Sequence, residues 1–154
     1  MIYSKSVGYA LRALTRLAEQ PGGERLTSDE IAEMEHLPAP YLAKTLQELT
    51  RRGLLYSEKG RAGGFTLRYR AKDIRVLEVI EALDGEAATS RCLLGYEDCT
   101  RKAPCHLDRI FRPLRKIITE YLTRTTLADL AKARRSRRRK SKAKPAARSK
   151  RRSS

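Results

Sequence analysis

The sequence predicts a mainly α fold with a small β-hairpin: a winged helix-turn-helix domain followed by a long C-terminal dimerisation helix. Three observations predict it. Two helical patterns, separated by Pro38-Ala39-Pro40, fill the stretch from Thr27 to Arg52. Two strand-like runs, Leu54-Leu55-Tyr56-Ser57 and Phe65-Thr66-Leu67-Arg68, flank a loop from Glu58 to Gly64 that holds three glycines. Farther on, an apolar stripe recurs at helical spacing from Leu107 to Leu122. These features divide the chain into a helix-turn-helix domain at 1–85, a cysteine loop at 86–106, a dimerisation helix with closing segment at 107–131, and a basic tail at 132–154.

Residues 3–19 form the first helix. Val7, Ala10, Leu11, Leu14, Leu17 and Ala18 share its inner face, with Lys5, Arg12, Arg16 and Glu19 outside. Pro21-Gly22-Gly23 ends it. Thr27-Ser28-Asp29-Glu30 opens the next helix as a capping box, in which Thr27 bonds the Glu30 backbone N–H and Glu30 reaches back. Ile31, Met34 and Leu37 give that helix a buried edge. In the helix that follows, Leu42, Leu46 and Leu49 face inward. Its opposite stripe is Tyr41, Lys44, Thr45, Glu48 and Arg52, which lie within about 60° of a common line. Such a stripe, rich in hydrogen-bonding tips and free of bulky apolar groups, suits entry into a major groove, where a glutamate can accept from a cytosine amino group.

Gly53 suits a left-handed helix stop. In the hairpin loop the glycines, Gly63 and Gly64 included, let the backbone approach a surface closely, while Lys59 and Arg61 carry phosphate-binding charge. Without a ligand, the same pattern would be an αα unit with a surface hairpin. Asp73 caps a scaffold helix with Ile74, Leu77, Ile80 and Leu83 inward and Glu78 and Glu81 outside, and Gly85 stops it.

From Glu86 to His106 no periodicity is visible. The only three cysteines of the chain, Cys92, Cys99 and Cys105, lie here within 14 residues. Clustering in a polar loop argues for ligation of Zn²⁺ or an iron–sulfur cluster; a thiol switch and a purely structural origin remain the alternatives. Three thiolates leave one position for His106, Asp98, Asp108 or a residue from elsewhere.

The stripe beyond comprises Leu107, Ile110, Phe111, Leu114, Ile117, Ile118, Tyr121 and Leu122. Its spacing suits a two-helix seam between copies of the chain, or else a cover for the domain's own core. Pro113 either kinks this helix or sits in its first turn, with a start near Arg112. Thr125 or Thr126 caps a short last helix around Leu127 and Leu130. The tail, 132–154, is expected to be disordered.

Charge is unevenly placed. Of 34 Lys and Arg, 13 fall in residues 132–154, which hold no acid, so residues 1–131 carry 21 basic against 18 acidic groups. The net +16 therefore belongs mainly to the tail, which can hold nucleic acid by counterion release without reading sequence. With no run of 18 apolar residues and no export signal, a cytosolic, nucleoid-associated protein is expected, with no membrane partner. A thiol oxidoreductase is disfavoured because the chain has no C-x-x-C motif and no α/β scaffold.

KSVGYALRALTRLA from Lys5 to Ala18, IAEMEHLPAPYLAKTLQELTRRGLLYSEKGRAGGFTL from Ile31 to Leu67, and DIRVLEVIEALDG from Asp73 to Gly85 resemble the IscR/NsrR-type family of bacterial winged-helix regulators. The likeness spans residues 1–131, and the wing from Lys59 to Phe65 after Gly53-Leu54 is its most specific part. It implies a homodimeric transcription regulator, commonly a repressor, that reads a palindromic operator in double-stranded DNA. It also implies no enzymatic activity and no small-molecule substrate. By the same resemblance Cys92, Cys99 and Cys105 ligate an iron–sulfur cluster, [2Fe-2S] favoured over [4Fe-4S], with the fourth ligand unassigned. Asp108 stands where several members carry a histidine, and Ser4 to Gly8 lack the acidic ligand of others.

On this reading Ser28, Tyr41, Lys44, Thr45, Glu48, Arg52, Lys59, Arg61, Gly63 and Gly64 make the DNA contacts. The cluster would report redox, nitric oxide or iron–sulfur status. The alternative is a metal-free or zinc-bound architectural protein that binds DNA with weak specificity through its basic tail.

Overall fold

The computed structural model describes residues 3–85, 88 and 105–142. Helix α1, Lys5–Ala18, lies at the centre. Ser4 caps it by accepting the Val7 N–H, and it buries Val7, Ala10, Ala13, Leu14, Thr15 and Leu17. A 3₁₀ turn at Pro21–Gly23 ends this segment, with Gly22 and Gly23 at φ 64° and 76°, the left-handed region that favours glycine.

Helix α2, Ser28–Glu35, carries the expected capping box. Thr27 Oγ1 accepts the Glu30 N–H at 3.2 Å and Glu30 Oε2 accepts the Thr27 N–H at 2.7 Å. These bonds hold the Glu30 carboxyl below its ordinary value. The buried edge of α2 is Ile31, Ala32 and Glu35, whereas Met34 is 45% exposed, against the sequence expectation. Glu35 takes the inner place because arginines from two other helices meet it there. His36, at φ 52°, ends the helix in the left-handed region.

Helix α3, Ala39–Arg51, starts behind Pro38 and buries Leu42, Thr45, Leu46 and Leu49. Strands β1, Leu55–Glu58, and β2, Gly64–Leu67, pair antiparallel with Ser57 opposite Phe65, each one residue off its expected position. Leu26 adds a bridge to Phe65 on the hairpin's other edge, with N···O distances of 2.8 and 3.2 Å. Helix α4, Val76–Asp84, begins after Arg75 rather than at Asp73. Asp73 instead pairs with Arg70 at 2.8 Å. Inside the domain, α4 buries Val76, Val79 and Ile80, with Ile74 just ahead of it and Leu77 half-buried.

Helix α5 runs unbroken from His106 to Arg124, so Pro113 is interior and a start near Arg112 is excluded. Thr126, not Thr125, caps helix α6, Leu127–Lys142: Thr126 Oγ1 accepts the Asp129 N–H, and Asp129 returns the contact at 2.9 Å. Residues 132–142, expected to be disordered, are the second part of this helix. The closing segment packs on the first helices: Leu127 N–H bonds Ile74 O at 3.0 Å, and Leu127 and Ala131 are buried. One core, centred on Leu14, Ile31, Leu42, Leu46, Leu49 and Leu127, therefore joins α1, α2, α3 and α6. Among the described residues no helix is long and apolar enough to cross a membrane.

Candidate nucleic-acid interface and cysteine site

The side chains of α3 divide more sharply than periodicity alone suggests. Lys44 is exposed, and Tyr41 is 43% exposed. Thr45 is buried and donates its hydroxyl to Tyr41 O at 3.0 Å, off the exposed stripe on which the sequence places it. It stands only about 60° from Leu42 around the helix, on the shoulder of the apolar face. Glu48 is engaged on both oxygens, by Arg51 at 2.7 Å and Arg52 at 3.0 Å, both exposed arginines. Tyr41 is tied to α1: its hydroxyl meets Ser6 Oγ at 2.5 Å and its ring stands edge-on to Tyr9, centroids 5.4 Å apart. Ser28 is half-buried in the first turn of α2.

In the wing, Lys59 and Arg61 are exposed and form no ion pair among the described residues, nor does Lys44. Gly63 and Gly64 are required by the hairpin itself. A Cβ on Gly63 would lie 2.4 Å from Glu58 O, and one on Gly64 would lie 2.8 Å from Leu26 O. Gly64 is moreover buried, with φ +137°. Two further basic groups escaped the sequence reading. Arg25 pairs with Glu58, and Arg68 lies over the Tyr56 ring, 5.1 Å from its centroid. Neither has a periodic signature, because each partner sits on another element or the opposite strand.

Beneath the helix-turn-helix lies an ionic cluster. Glu35, 5% exposed, accepts from Arg16 at 2.7 Å and from Arg134, with Arg12 at 3.5 Å. Arg134 and Arg16 also face Glu19, at 3.6 and 3.5 Å. Burial works to raise the Glu35 pKa, but the hydrogen bonds and charges of Arg134 and Arg16 win and hold it below the ordinary value. The sequence places Arg12 and Arg16 outside; in the fold they brace the residue next to the inter-helix turn.

Of the cysteines, Cys92 and Cys99 lie outside the described residues. Cys105 is a half-buried free thiol at the N-cap of α5. A thiol at a helix N-terminus is a suitable donor to an iron–sulfur group, since thiolates are its usual ligands and the helix end favours negative charge. Among the described residues no three His, Cys, Asp or Glu gather into a metal site. Along α5, Ile110, Leu114, Ile117 and Tyr121 are 52%, 45%, 62% and 68% exposed. That edge does not cover the domain's own core; Leu122 packs inward instead.

A family model described as Rrf2, iron-dependent transcriptional regulator, matches residues 3–133. The transcriptional repressor NsrR of Streptomyces coelicolor is 32% identical over 134 residues, covering 86% of this chain and 90% of its own. Among solved structures, CymR, the global cysteine regulator of B. subtilis, superposes with a TM-score of 0.71 at 25% identity, covering 84% of this chain and 95% of its own. IscR of T. potens gives 0.67 at 28% identity, covering 84% and 85%.

Proposed function

Because the chain belongs to the Rrf2 family of transcriptional regulators, and so is a DNA-binding regulator rather than an enzyme, we propose that it is a homodimeric repressor reading a palindromic operator. Its input is an iron–sulfur cluster, [2Fe-2S], held by Cys92, Cys99 and Cys105. It acts on the chromosome in the cytoplasm.

The observation that carries this reading is the double use of α5. The helix begins at Cys105 and leaves Ile110, Leu114, Ile117 and Tyr121 bare along one edge. Bare apolar residues at heptad-like spacing suit a matching helix from a second copy. Two-fold pairing then sets the separation of the two α3 helices, as half-site spacing requires. When bound, the cluster supplies one-electron redox chemistry and reactivity toward oxidants. Cys105, in the N-cap, transmits its ligation state to the helix on which dimer geometry depends. DNA binding is thereby shifted between two populations. Lys44 reads or grips the groove from α3, with Lys59 and Arg61 on the flanking backbone.

Anaerobic purification with visible absorption and assays for iron, sulfide and zinc tests the sensor. A coloured protein with matched iron and sulfide is expected, bleached by Cys→Ala at position 92, 99 or 105. A colourless protein with stoichiometric zinc, or with no metal after anaerobic reconstitution, would remove the cluster from the account.

A further inference from the structure

The basic half of α6 has no part in the reading head, the wing or the α5 seam. It is helical through Lys142 although its charges are alike. Pairs such as Arg135 and Arg139, four residues apart, repel one another in a free helix. The start of α6 is nonetheless fixed: Leu127 and Ala131 are buried, and Arg134 is held by Glu35 and Glu19. Glu35 directly precedes His36, which ends the first helix of the helix-turn-helix. The arm is thus anchored to the reading unit itself.

Beyond that anchor, Arg135, Arg137, Arg139 and Lys140 are exposed and form no ion pair among the described residues. Lys132, Arg135 and Arg139 fall within about 60° of one line on the outer side. From Arg135 to Lys142 the helix extends about 12 Å, comparable with a major-groove width. No aromatic or large apolar residue follows Leu130. The arm therefore has no face to insert into a lipid surface and no ring to stack on single-stranded bases. Its chemistry fits a regular array of phosphates.

We propose that the basic half of α6 is a second DNA-contacting element: a helical arm that grips the phosphate backbone of the duplex flanking the site read by α3. The inference rests on the DNA-reading function above and adds an affinity term independent of sequence. Phosphates also relieve the repulsion along the arm, so its helicity rises on binding.

The test uses the full chain and a variant carrying Arg135→Gln, Arg137→Gln, Arg139→Gln and Lys140→Gln. Affinities are measured between 50 and 200 mM salt, as an order-of-magnitude range, for a duplex the protein selects from a random pool and for a scrambled duplex. The salt slope is expected to fall by about 0.9 per lost phosphate contact, up to about 3–4 per protomer. Both duplexes should weaken alike, so their ratio is kept, and Arg→Lys at 135, 137 and 139 should restore the slope. Circular dichroism should show a helix gain on adding DNA to the parent chain only. An unchanged slope, with Lys44→Ala still weakening the selected duplex, overturns the arm and leaves the reading head standing. Failure of the parent chain to bind any duplex overturns both. Tighter competition by structured RNA than by duplex DNA also overturns the assignment.

Discussion

Glu35 and Lys44 are both charged residues of the helix-turn-helix, yet their surroundings give them opposite tasks. Lys44 is exposed and unpaired among the described residues, so Lys44→Ala should leave the thermal midpoint unchanged while weakening operator binding by about 1–3 kcal/mol. Binding curves on a selected duplex check this; unchanged affinity would remove Lys44 from the contact surface. Glu35 is buried among arginines, and Glu35→Gln should cost roughly 2–3 kcal/mol at pH 7, less than a fully buried pair because Arg12 and Arg134 reach solvent. Its folded pKa is depressed, so its contribution is fully present above the unfolded glutamate value of about 4.3. It is lost as pH falls below that value and through the folded one. Melting curves of parent and variant should converge toward pH 3, roughly speaking; a gap independent of pH would contradict the ion-pair account. At this scale the sequence was least legible. Arg134 and Glu35 lie 99 residues apart, and no local period links them. Met34 and Thr45 sit on helix shoulders, where which side wins depends on neighbouring elements.

Helices α2, α3 and the hairpin were legible because their signals are local: the Thr27–Glu30 box, the prolines before α3 and the glycines between the strands. Burial follows the leucine period of α3, with Leu42, Leu46 and Leu49 inaccessible. Leu46→Asp should therefore abolish cooperative melting, since an unpaired buried charge costs several kcal/mol out of about 5–15. Helix α5 was legible as a stripe but not in its partner, because an apolar edge reads alike whether it meets the same chain or another. Exposure of Ile117 at 62% favours the second copy proposed above. Ile117→Asp should keep the fold and halve the mass seen by light scattering, with at least roughly tenfold weaker operator binding. A variant that stayed dimeric would move the interface elsewhere. The length of α6 was hidden by composition: a run of arginine and lysine reads as disorder unless the docking of Leu127, Ala131 and Arg134 is known.

Across the whole molecule the charge is arranged in two parts. Residues 1–131 are nearly balanced, with 21 basic against 18 acidic groups, while 13 basic residues follow with no acid. On the proposed reading, the balanced head would read the operator and the basic extension would raise affinity for any duplex. Helix α5 lies within the balanced part, with Cys105 at its N-cap and its C-terminus where Thr126 opens α6, so Cys105, the exposed apolar edge and the anchor of α6 lie on consecutive segments. The most direct measurement is the affinity of one anaerobic preparation for its selected duplex, taken before and after removal of the cluster and with the dimer mass recorded in parallel. A dimer in both states with affinities differing at least roughly tenfold, equivalent to about 1.4 kcal/mol, is expected. Equal affinity of the two states for every duplex tried would contradict a sensor that works through α5.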